Sequence, residues 1–172
     1  MTSGSRRRVA IACQGGGSHT AFTAGVLGRL LTADEFDEYE LVGLSGTSGG
    51  AVCAALAWSA LLDGDRADSK ARLDGFWADN AASGPVEMAI NAWVLWAATL
   101  QSVGLLPAVS PYDVPVTGFE HFRTLLRRWV DFDRIQIDGL ARHPVLLIGA
   151  VDVLSGEFRA FNSSRERITA DM

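Results

Sequence analysis

Glu40-Leu41-Val42-Gly43-Leu44-Ser45-Gly46-Thr47-Ser48-Gly49-Gly50-Ala51-Val52-Cys53-Ala54-Ala55-Leu56-Ala57-Trp58 is the stretch on which the reading of this chain turns. Residues 40–45 are an apolar run of strand length, and residues 51–58 read as a helix whose small side chains permit close packing. Between them stands G-x-S-x-G. A serine in that pentad occupies a strained strand-to-helix turn, where flanking glycines leave room and the following helix N-terminus favours developing negative charge. Ser45 is out of frame, because the glycine it would need falls at Thr47. Ser48 is therefore the candidate nucleophile, with Gly46 and Gly50 forming its elbow.

The pentad alone is a weak signal. The unit before it adds weight, since it repeats the same strand-loop-helix order. Val9-Ala10-Ile11-Ala12-Cys13 is a compact apolar run, Gly15-Gly16-Gly17 follow, and Ala21 to Leu27 open a helix with Leu30 and Leu31 on its later turn. The amides of such a loop can form a nest for an anion. A dinucleotide fingerprint also begins with Gly-x-Gly after a strand. Here its third glycine is Thr20, and the second strand ends in Ser45-Gly46 with no carboxylate for a ribose hydroxyl. A phosphate-binding loop with its G-K-[ST] ending is absent too, Lys70 being the only lysine.

These residues resemble the patatin-like phospholipases and lipid acyl hydrolases. That family places a glycine-rich oxyanion loop after its first strand and a G-x-S-x-G serine after the next, as Cys13-Gln14-Gly15-Gly16-Gly17 and Gly46-Thr47-Ser48-Gly49-Gly50 stand here. Val151-Asp152-Val153-Leu154-Ser155-Gly156-Glu157 is similar to a later strand and turn of the family, so the likeness runs from Arg8 onward. The resemblance implies an α/β fold of three layers, a central mostly parallel sheet with helices on both faces. It implies hydrolysis of lipid acyl esters, of the phospholipase A or lysophospholipase type, through an acyl-enzyme on a Ser-Asp dyad. Ser48 would be the nucleophile and Gly15, Gly16 and Gly17 the oxyanion hole. No cofactor or metal is needed, and the partner would be a lipid or acyl ester with transient membrane contact.

Two departures accompany the likeness. The family's loop usually continues with a basic residue and glycine, where Ser18-His19-Thr20 stands here. Its aspartate lies in a D-G-G or D-G-A motif beyond the strand resembling Val145 to Val153, and no such motif occurs in the 172 residues. Asp138-Gly139 is followed by Leu140 and reads as a turn, and Asp152 as structural. Thr169-Ala170-Asp171-Met172 reads as the opening of a helix with Thr169 as its N-cap. Residues 1–172 are accordingly expected to be one patatin-like domain, its N-terminal part.

A serine needs a base to take its proton. None of His19, His121 and His143 stands where a triad base is marked, so an α/β-hydrolase with a Ser-Asp-His triad is a lesser alternative. Its elbow ordinarily follows several strands, whereas Ser48 follows one strand-helix unit. A catalytically silent lipid-binding or interaction domain that keeps the fold is the alternative from another class.

Composition sets outer limits. A net charge of −5 gives no general attraction to nucleic acid. Arg6-Arg7-Arg8 reads as a solvated lead-in to the first strand. Cys13 and Cys53 fall in expected buried elements, which suits a reducing compartment better than a disulfide framework. With no secretory signal evident, the reading is a cytoplasmic protein, peripheral to membranes when it meets substrate. Residues 88–112 carry no charge. The apolar segment 88–106 reads first as a buried or substrate-channel helix, with an interfacial helix and a span as alternatives. Thr117-Gly118-Phe119-Glu120 has capping-box spacing ahead of a helix with Phe122, Leu125, Leu126 and Trp129 on one face and Arg123, Arg127 and Arg128 elsewhere. Residues 144–151 then read as a central strand, and Ser155-Gly156 as a turn into a last strand.

Overall fold

The computed structural model describes residues 6–81, 84, 92, 96, 99–101, 104, 117–133, 144–152 and 154–171. Most of the apolar segment 88–106, Asp138-Gly139 and His143 lie outside them. Among the described residues four strands, β1 (Arg7–Cys13), β2 (Tyr39–Thr47), β3 (Val145–Val151) and β4 (Phe158–Asn162), form one sheet in the order β1-β2-β3-β4. The first two pairings are parallel and the β3–β4 pairing is antiparallel. The fold is therefore α/β on a mostly parallel sheet. The helices whose bounds fall among the described residues are α1 (Thr20–Leu31), α2 (Gly49–Leu62), α3 (Arg66–Asp79) and α4 (Thr117–Trp129).

Connection handedness decides where the helices go. A strand-helix-strand crossover is almost always right-handed. The β1-α1-β2 and β2-α2-β3 crossovers advance the same way across the sheet, so they deliver α1 and α2 to one face. There α2 packs on β1, β2 and β3, while α1 and α3 pack against α2 and each other. Enclosure explains the composition of α2. Nine of its 14 residues are buried, among them Cys53, Leu56 and Trp58. A helix enclosed on nearly all sides must be apolar on all sides, and its alanines let neighbours approach. The Trp58 indole donates to the Pro144 carbonyl at 2.7 Å, satisfying the one polar atom of a side chain only 1% exposed.

A bulge in β2 sets which residues face that layer. Val9 pairs with Leu41 but Ala10 pairs with Gly43, so Val42 is an extra residue. Side chains alternate faces along a strand, so one added residue exchanges the two faces beyond it. Tyr39 and Leu41 contact the core before the bulge, and Leu44 contacts it after. By the same parity Gly46 lies on the helix side, and Thr47 on the opposite side beside Gly149 and Phe158.

The other elements follow local rules. Asp65 caps α3 by accepting from the Asp68 amide at 3.0 Å, after a turn with Gly64 at φ 80°. Ser69, Leu73 and Phe76 then face inward. On α4, Leu125 is buried and Leu126 and Trp129 pack against the core, with the Trp129 ring over Gly75 of α3. Gly156, at φ 72°, turns β3 into β4. Residues 170–171 form a turn, with the Thr169 hydroxyl accepting from the Asp171 amide at 3.3 Å, where the sequence suggested a helix start. Among the described residues no helix is long and apolar enough to cross a membrane.

Two outcomes test this packing. A Cβ at Gly50 would lie 2.2 Å from the Cys13 carbonyl oxygen. Gly50→Ala should therefore cost about 3 kcal/mol or more in urea denaturation, whereas Gly25→Ala, with nothing within 4 Å, should gain about 0.5–1 kcal/mol. Burial, with a smaller contribution from nearby Cys53, pushes the Cys13 thiol from 9.0 up to about 11. The unfolded chain releases that proton near its ordinary value while the fold holds it, so the unfolded state binds fewer protons in between. Stability should fall as pH rises from 9 to about 11, and Cys13→Ala should flatten that slope in denaturation curves taken across the window.

Candidate active site

Ser48 is the single residue between β2 and α2. Its backbone, at φ 53° and ψ −133°, is the only non-glycine positive φ among the described residues. Holding an L-residue there costs about 1–3 kcal/mol and persists only where the surroundings enforce it. The carbonyl of Ser48 accepts from Ala51 at 2.9 Å and Val52 at 3.3 Å, so its main chain starts α2. Its hydroxyl does not cap the helix, and the residue is exposed. The usual serine N-cap geometry has been exchanged for one that projects the side chain.

The first loop is pressed against this elbow by backbone contact. A Cβ on Gly15 would stand 2.7 Å from the Thr47 carbonyl oxygen and 3.2 Å from Ser48 Cβ. One on Gly46 would stand 2.3 Å from the Gly50 oxygen. With the Gly50 contact to Cys13, these approaches bring Gly15, Gly46, Ser48 and Gly50 into one cluster. Gly17 is needed for a different reason, its φ of 57°. Gly16 is less constrained, its nearest neighbour being His19 Cβ at 3.8 Å.

The loop also carries amides left free by the helix start. Gly17–His19 form a 3-10 turn that runs directly into α1, so its first amides have no carbonyl a turn earlier to bind. The His19 amide donates to Gly16 O at 3.2 Å, and the Thr20 hydroxyl donates to Gly17 O. Both carbonyls are thus occupied on the α1 side. In a trans peptide the N–H opposes the C=O, so the Gly17 and Ser18 amides point the other way. The N-termini of α1 and α2, each carrying partial positive charge, meet around Ser48.

An apolar cavity of about 400 Å³ opens on the other side of Ser48. Ala51, Val52 and Ala55 of α2, Leu126 of α4 and Ile148 of β3 are among its walls. Its charged lining is Arg123 and Asp171, joined at 2.6 Å, with Arg127 reaching Asp171 at 3.4 Å and Glu120 meeting Arg123 at 3.5 Å. The carboxylate in Ser48's cavity is therefore held by two guanidinium groups. The sequence pattern sets Arg123 off the apolar face of its helix and gives Asp171 no site role; their spacing of 48 residues carries no local signal. A larger cavity of about 810 Å³, lined by charged side chains such as Arg72, Arg128 and Asp131, includes neither Ser48 nor the glycine loop.

The remaining candidates are dispersed. His19 and His121 are exposed. Asp152 serves the β3–β4 turn, accepting from the amides of Leu154 at 2.9 Å and Ser155 at 2.8 Å. Those bonds, the Ser155 amide first, hold its carboxyl below the usual range. Among the described residues no group of three His, Cys, Asp or Glu is arranged to hold a metal. No family model, curated protein or solved structure matches the chain.

The strain at residue 48 can be measured. Ser48→Gly should raise stability by about 1 kcal/mol in urea denaturation, because glycine tolerates the positive φ, whereas Ser48→Ala should bring no such gain.

Proposed function

We propose that this chain is a patatin-like serine acyl hydrolase acting on lipid acyl esters, with Ser48 as its nucleophile. The observation that supports it best is the strained Ser48 elbow, abutted by the Gly15 loop and opening onto an apolar cavity. Ser48 Oγ would attack the ester carbonyl while its proton passes to a carboxylate, and the carbonyl oxygen would take negative charge facing the loop amides. Collapse would release the alcohol with that proton and leave an acyl-Ser48, which water then hydrolyses. A properly aimed oxyanion donor is worth about 10²–10³ in rate. The apolar cavity suits the acyl chain.

In this reading the fold is the three-layer patatin-like type, with a second helical layer on the other face of the sheet. Leu147, Val151 and Phe158 are 39%, 59% and 67% exposed on that face, as expected of positions such a layer would cover. The protein would be cytoplasmic, meeting membranes transiently to reach substrate, with no cofactor. A second reading, a silent lipid-binding domain, is favoured by one observation. Among the described residues, no histidine or carboxylate is hydrogen-bonded to Ser48, and Asp171 is engaged by arginines.

Intact mass after treatment with a fluorophosphonate separates the two. The hydrolase reading expects one adduct that is absent in Ser48→Ala. Folded protein that gains no adduct, yet binds a fluorescent fatty acid, would favour the silent domain.

A further inference from the structure

We infer that Thr20 is a positioning residue, whose hydroxyl sets the oxyanion loop and whose body sets the distance between that loop and the nucleophile elbow. The inference rests on the acyl-hydrolase reading of Ser48. Thr20 is the first residue of α1 and is only 1% exposed. Its hydroxyl donates to the Gly17 carbonyl and so fixes the peptide plane that carries the Ser18 amide. Its side chain is also wedged against the elbow. A Cβ at Gly49 would lie 2.2 Å from Thr20 Oγ1 and 3.0 Å from both Cβ and Cγ2. The Thr20 carbonyl faces α2 as well, accepting from Cys53 Sγ at 3.5 Å.

One side chain thus touches both halves of the cradle. The Gly49 amide follows the nucleophile, the position that supplies one oxyanion donor in serine elbows. The loop amides supply the other. Thr20 stands between their peptides, so its shape spaces the two donors and its hydroxyl orients one of them. Gly49 is the complementary surrender of volume. Sequence reading counted Thr20 only as a missing glycine, because the partner that gives it a role lies 29 residues away at Gly49.

Thr20→Val keeps the shape and removes the hydroxyl, while Thr20→Ser keeps the hydroxyl and loses the methyl. With saturating kinetics of fluorophosphonate labelling, Thr20→Val should lower the maximal inactivation rate about 10- to 100-fold and leave half-saturation unchanged. Thr20→Ser should retain most of that rate. Amide hydrogen exchange read over residues 15–18 should quicken in Thr20→Val but not in Thr20→Ser, with exchange in the core of α2 unchanged in both. Wild-type labelling rates in Thr20→Val, undisturbed loop exchange in that variant, or equal losses in both variants would each overturn the inference. If the wild-type chain forms no Ser48-dependent adduct, the acyl-hydrolase reading fails. The exchange comparison then still decides whether the Thr20 hydroxyl orders the loop.

Discussion

The approach of Gly50 to the carbonyl of Cys13 is the contact on which this molecule depends. There the start of α2 meets the end of β1 with no room for a side-chain atom. Everything near Ser48 is registered by that approach. It brings the Gln14–Gly15 backbone beside Thr47 and Ser48, and places the start of α1 against the start of α2 through Thr20 and Gly49. Dispersion between atoms at contact is small per pair and falls off steeply with a gap. A fraction of an ångström at Gly50 would therefore be felt at every other contact in the cluster.

Strain and burial are complementary in this arrangement. Ser48 occupies a conformation that its own chemistry disfavours, and what enforces it is α2, enclosed by the sheet, α1 and α3. Relaxing the elbow would require moving a helix whose Trp58, Cys53 and Leu56 are essentially inaccessible to solvent. The exposed side of the elbow presents a hydroxyl, helix-terminal amides and an apolar hollow. The buried side supplies the stiffness that holds those groups in place.

Much of this order was legible in the chain. The runs at 9–13 and 40–45 appeared as strands slightly longer than read, and residues 51–58 as the heart of α2. The amphipathic pattern after Thr117 became α4, with its apolar face on the core. The α3 helix was harder to see, because its core stripe is three residues, Ser69, Leu73 and Phe76, one of them polar, interleaved with six charged residues. The glycines announced an elbow and a loop, since close backbone approach has few other solutions. The reason for each glycine was not legible: Gly15 and Gly50 yield space, whereas Gly17 supplies a backbone angle. Thr20, Arg123 and Asp171 were missed as site neighbours because only the tertiary fold brings them to Ser48's surroundings.

The bulge at Val42 has a further consequence, for the arithmetic of insertion and deletion. Because strand faces alternate, the segment from Gly43 to Thr47 is correctly presented only while an odd residue is stored upstream. Losing that residue would shorten the protein trivially yet turn Gly46 toward the opposite layer, separating it from Gly50 without altering either glycine. Length changes in this strand are therefore tolerable by twos and ruinous by ones. Ser48 is held in position by a parity as much as by any contact.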